Sequence, residues 1–78
     1  MAVDREKVVE TALKYIEKKR YDKAIIEYQR ILAEDPNDPR ILQKIAEAQL
    51  KGKFVPEAIE TYARIGKLYT QKGFAQQA

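Results

Sequence analysis

The stretch Ala24-x-x-x-Tyr28-x-x-Ile31 returns as Ala58-x-x-x-Tyr62-x-x-Ile65, every residue displaced by 34 positions. A period of this size is the mark of stacked helical hairpins. One hairpin cannot bury its apolar face alone, and a second laid against it can. The echo therefore predicts an all-α chain that presents a surface rather than one that runs a reaction.

Working outward, four amphipathic segments emerge. The first covers roughly Asp4 to Lys18, where Val8, Val9, Ala12, Leu13, Tyr15 and Ile16 recur at helical spacing. Asp4 stands ready to accept from the free amides of the first turn. The second runs from about Asp22 to Glu34 on the stripe Ala24, Ile25, Tyr28, Ile31 and Leu32, with Glu27 and Arg30 placed to pair on the other face. Pro36 stops it, because proline disfavours helical geometry in the residue before it and has no amide to donate. Asp38 then caps a third helix whose first residue, Pro39, is pre-set in φ. Its stripe is Ile41, Leu42, Ile45, Ala46 and Leu50, and Gly52 offers a left-handed stop after Lys51. Pro56 opens the fourth helix, on Ala58, Ile59, Tyr62, Ile65, Leu68 and Tyr69, with an end expected near Lys72 and Gly73. Such short connections force consecutive helices antiparallel.

Ordered in this way, the residues resemble the tetratricopeptide repeat (TPR) family. Its pattern is a large apolar residue, a Leu-Gly pair, an aromatic, then Ala-x-x-x-Phe and a closing Pro. Val8, Thr11, Ala12, Tyr15, Ala24, Tyr28 and Pro36 supply the first repeat; Leu42, Ile45, Ala46, Gln49, Ala58 and Tyr62 supply the second. Thr11 stands where the family prefers an aliphatic residue, and Gln49 replaces an aromatic. Phe54 precedes Ala58 by four residues, whereas Tyr21 precedes Ala24 by three, which predicts a second turn built differently from the first. The resemblance implies antiparallel helix-turn-helix hairpins stacked as a short TPR-like solenoid. It implies one domain over residues 1–78, with hairpins at about 4–34 and 39–72. Tyr62-x-x-Ile65-Gly66-x-x-Tyr69 also matches the opening of a further repeat over 62–78, with Gly73 at its turn and Ala78 at its next alanine.

Small alanines carry the close approaches in this reading: Ala12 against Ala24, and Ala46 against Ala58. Tyr28 and Tyr62 fill the holes between adjacent helices, and Tyr15 joins them in the core. Tyr21 and Phe54 cover the hairpin ends.

Composition closes off most chemistry. A chain of 78 residues without cysteine has no disulfide and no thiolate zinc site, so stability rests on helix packing. Without histidine or serine, no serine or cysteine triad forms. The glutamates lie at solvated helix-surface spacing, and Gly52, Gly66 and Gly73 are too scattered to cradle a phosphate. Asp35, Asn37 and Asp38 belong to a turn; a calcium loop needs further ligands and a glycine that are missing. No enzyme, cofactor or metal is expected. The net charge of +3 spreads over 15 basic and 12 acidic residues of interspersed sign. The one basic run, Lys18-Lys19-Arg20, reads as a solvated hairpin tip, so nucleic acid is disfavoured. Neither an apolar signal region nor a membrane-length apolar run is present, and a cytoplasmic location is the default.

The resemblance implies a concave face lined by the first helix of each hairpin. The matching positions are Glu6, Val9, Leu13, Ile16 and Glu17, then Arg40, Gln43, Lys44, Glu47, Leu50 and Lys51. Glu60, Ala63, Arg64 and Lys67 join them if the fourth helix opens a third repeat. The core of this expectation is Val9, Leu13, Ile16, Glu17, Arg40, Gln43, Lys44, Glu47 and Lys51. The three apolar residues exceed what one neighbouring helix buries, and the basic ones are placed to receive acidic groups. The implied function is protein–protein interaction, as an adaptor or scaffold holding a peptide or partner helix. The alternative is a homo-oligomerisation module, a homo-dimer built on the N-terminal apolar patch and on Ile65, Leu68, Tyr69 and Phe74 of an exposed fourth helix.

Overall fold

The computed structural model describes the backbone of residues 3–77 and the side chains of residues 3–71. Four helices follow one another: α1 (Arg5–Glu17), α2 (Tyr21–Glu34), α3 (Pro39–Lys51) and α4 (Val55–Gln77). Each packs chiefly on its neighbours in sequence, α1 on α2, α2 on α3 and α3 on α4. The result is a flat slab of 43 × 32 × 16 Å.

Local signals set the helix starts. The Asp4 carboxylate accepts from the Lys7 amide at 3.2 Å. Asp38 accepts from the amides of Arg40 at 2.9 Å and Ile41 at 3.4 Å, satisfying donors that the first turn of α3 leaves free. Pro39 is the first residue of α3, and Glu27 pairs with Arg30 at 3.0 Å on the outer face of α2.

The two hairpin turns are built alike, against the expectation from Phe54. Lys19 N–H donates to the Ile16 carbonyl and Arg20 N–H to that of Tyr15; 34 residues on, Lys53 N–H donates to Leu50 and Phe54 N–H to Gln49. The left-handed residue is a lysine in both, Lys19 at φ 60° and Lys53 at φ 66°. Gly52, expected to be the left-handed stop, has φ −83°. Its role is space: a Cβ there would lie 2.7 Å from Cε2 of Phe54 and 3.0 Å from Cβ of Tyr21. The two aromatics thus gather over Gly52 at the hairpin ends. The other glycine expectation also fails, because α4 passes through Gly73 without a turn and continues to Gln77. Ala78 lies outside the described residues.

The core has two parts. Val8, Ala12, Ala24, Ile25, Tyr28, Ile31, Ile41, Ile45 and Ala48 form the larger, joining α1, α2 and α3. Leu42, Ala46 and Ile65 form the smaller, between α3 and α4, with Leu32 and Leu68 against it. Ala12, Ala24, Ala46 and Ala58 are all completely buried, as helices in close approach require. Gln49 is buried where the first hairpin has Tyr15, and its amide oxygen accepts from the Thr61 hydroxyl at 2.7 Å, which satisfies the polar group.

Polar contacts tie the start of α1 and the middle of α4 to the α2–α3 loop. Arg5 hydrogen-bonds to Asp38. Arg64 donates to the Pro36 carbonyl at 2.6 Å. Burial by itself raises the Asp38 carboxyl, but the hydrogen bonds from Arg5, Arg40 and Ile41 outweigh it and hold the group below the usual carboxylate range.

Candidate binding groove

Because α1 and α3 are both first helices of hairpins, the 34-residue period gives them matching outer faces. Arg40, Gln43, Lys44 and Glu47 line a shallow depression of about 300 Å³ on α3. Their equivalents Glu6, Val9, Glu10 and Leu13, with Arg5, line one of about 420 Å³ on α1. Between the helices lies a third and more enclosed hollow of about 140 Å³, with Leu13 and Ile16 on one wall and Lys44, Glu47, Ala48 and Lys51 on the other. Its floor is Tyr28 of α2.

Five expected residues, Leu13, Ile16, Lys44, Glu47 and Lys51, therefore meet in one hollow. Val9 joins Leu13 on α1, while Arg40 and Gln43 extend the line along α3. Val9, Ile16 and Lys44 are half-buried; Leu13, Glu17, Arg40, Gln43, Glu47 and Lys51 are exposed. Glu17 lines none of these depressions. Glu60, Ala63, Arg64 and Lys67 form a separate depression of about 400 Å³ lined by α4 alone, so they do not extend the α1–α3 groove.

Tyr28 and Ala48 enter the groove without having been assigned to it. The Tyr28 ring is core, but no hydrogen bond satisfies its hydroxyl among the described residues. No buried side-chain oxygen or nitrogen there lacks a partner, so the hydroxyl reaches solvent only at its edge, in a residue that is 1% exposed overall. Burial first, and the nearby Glu47 carboxylate second, push the phenol above its ordinary value. It stays a neutral O–H donor facing the groove. The amphipathic character of tyrosine was the available signal.

Two aromatic and apolar expectations are corrected. Tyr62, expected in the core, is 41% exposed, because among the described residues no helix lies over α4 as α3 lies over α2. Ile65 was assigned to an exposed self-association surface, but it is only 8% exposed, packed against Leu42 and Ala46. Leu68 is half-buried against that same cluster, and Tyr69 is exposed. The Phe74 side chain lies outside the described residues.

The family model for the tetratricopeptide repeat matches residues 15–76. The chain belongs to the tetratricopeptide repeat family. Its four helices, packed as adjacent hairpins with a 34-residue internal period, are the architecture of that repeat. Comparison with curated proteins and with solved structures returns no match. TPR repeats are in general protein–protein interaction modules and typically non-catalytic, and no enzyme family matches. Among the described residues, no helix of this TPR chain is long and apolar enough to cross a membrane.

Proposed function

We propose that this TPR domain is an adaptor or scaffold that holds a peptide or a partner helix in the groove between α1 and α3. The observation that carries this reading is the hollow that Leu13, Ile16 and Ala48 line together with Tyr28. An apolar side chain of the ligand seats between Leu13 and Ile16 and removes their remaining surface from water. The Tyr28 hydroxyl donates to a ligand carbonyl. Lys44 and Lys51 stand on the α3 wall and Arg40 further along it, so acidic groups of the ligand align on that side. Glu6 and Glu10 on α1 turn the same groups away, which sets the side on which the ligand's acidic groups lie. Domain organisation follows the same reading: one unit of two hairpins, 4–34 and 39–72.

A displayed peptide library panned against the chain supplies a ligand for the test. Leu13→Glu and Arg40→Glu then each weaken its capture while circular dichroism shows the helices intact. Undiminished capture by both variants removes the groove from consideration.

A further inference from the structure

The internal repeat provides its own control for what α4 lacks. Ile25 is 9% exposed and Tyr28 1%, because α3 lays Ile41, Ile45 and Ala48 in the same cluster. Their equivalents 34 residues on, Ile59 and Tyr62, are 63% and 41% exposed. Val55 and Tyr69 lie exposed on the same side of α4. Together with Gly66 they step along the helix by four, three, four and three residues, the seven-residue pattern of a seam between two helices.

The opposite end of the slab is closed. The α1 residues equivalent to Ile41, Ile45 and Ala48 are Lys7, Thr11 and Lys14, all exposed. Thr11 bonds to the Lys7 carbonyl, and Lys14 pairs with Glu10. Stacking copies head to tail would press Lys7, Thr11 and Lys14 onto Ile59 and Tyr62 and strip water from two ammonium groups, which is costly. The apolar end therefore has no mate at the other end of the molecule, and an open filament is disfavoured.

The seam is, however, its own complement. About a two-fold axis beside Arg64, antiparallel pairing sets Ile59 against the partner's Tyr69 and Tyr62 against the partner's Gly66. Apart from its own helix backbone, a Cβ built on Gly66 meets nothing within 4 Å among the described residues, so the gap is open to a ring from outside. The neighbouring positions Pro56, Ala63 and Thr70 carry no charge, so nothing along that edge repels an identical helix.

We propose that α4 pairs antiparallel with α4 of a second copy through Ile59, Tyr62, Gly66 and Tyr69, giving an isologous dimer. This surface is distinct from the α1–α3 groove, so either reading stands if the other fails. The contact buries on the order of 1,000 Å² over both copies, at the lower limit for a specific interface.

Sedimentation equilibrium of the full chain from about 1 μM to about 1 mM covers the affinities such an area allows. A monomer–dimer equilibrium with no larger species is expected. Gly66→Leu keeps the monomer fold, since the space is empty, but blocks Tyr62 and weakens dimerisation at least about tenfold. Ile59→Glu does the same by charge. Because the chain has no cysteine, Ile59→Cys and Tyr69→Cys chains, mixed and oxidised, report the register by forming mainly the mixed disulfide. A strict monomer overturns the proposal and gives the face to a different helix. Growth beyond a dimer overturns it, as does undiminished association of Gly66→Leu, which marks unspecific apolar adhesion. Same-residue disulfides in excess overturn the antiparallel register.

Discussion

Tyr28→Ala and Tyr62→Ala delete the same side chain from repeat-equivalent positions, and the structure assigns them very different costs. Tyr28 is 1% exposed and wedged among Ile25, Ile45 and Ala48, so its removal leaves a cavity that neighbouring helices close only in part. Large aromatic truncations of this kind cost about 3–5 kcal/mol. Tyr62, at 41% exposed, is bounded by protein on one side only, and solvent occupies the space it leaves. Its loss costs about 1 kcal/mol, the transfer of a partly covered ring without a cavity penalty. A domain of this length holds on the order of 4–10 kcal/mol in total, so Tyr28→Ala removes about a third or more of it. A gentler pair measures the same contrast: Ile25→Val costs about 1 kcal/mol, and Ile59→Val less than about 0.3 kcal/mol. Urea melts followed by far-UV circular dichroism, at the lowest workable protein concentration, give these differences. Equal losses at the paired positions would refute the claim that only the first echo is covered by a following helix.

Gly66→Ala raises monomer stability by about 0.5–1 kcal/mol, because it removes backbone freedom from a helix interior and the new methyl crowds no other part of the described residues. Gly52→Ala lowers stability instead, since the new methyl collides with Phe54, and thermal melts separate the two signs. Lys53→Gly stabilises by about 1 kcal/mol by relieving a left-handed φ of 66°, as a urea midpoint shifted upward at unchanged slope will show. The Asp38 carboxyl has a folded value below its ordinary 3.8, so its stabilisation is present above that pH and is lost as pH falls through the folded value. Asp38→Asn retains a capping oxygen but flattens this acid limb of the stability profile, measured by melts from about pH 2 to pH 6.

How much of the molecule was legible in the amino acids depends on how far each signal reaches. Asp4, Asp38 and Pro39 act within a turn of their own helices, and each does what its residue type dictates. The four alanines at close approach were legible too, because the 34-residue echo pairs them. The turns were misread where a side chain was taken to dictate the backbone. Phe54 and Tyr21 differ in position, yet the hydrogen bonds around Lys53 and Lys19 coincide, and the left-handed residue is lysine in both. Gly52 is present for the room that Phe54 and Tyr21 need, a requirement set by residues from two hairpins. In the groove, Leu13, Ile16, Lys44, Glu47 and Lys51 were found from position in the repeat, while Tyr28 was hidden because its ring and its hydroxyl lie in different surroundings.

The all-α character, the starts of α1 and α3, the two hairpins and the absence of triad chemistry follow from residue type and spacing along one chain. What needed the tertiary structure is which tyrosine of the echo is core, since the alanines and isoleucines of both copies are buried. Ala24, Tyr28 and Ile31 and their partners Ala58, Tyr62 and Ile65 read alike, yet Tyr28 is buried and Tyr62 faces water. Burial belongs to the neighbour as much as to the residue: α3 lies over α2, and among the described residues no helix lies over the equivalent face of α4.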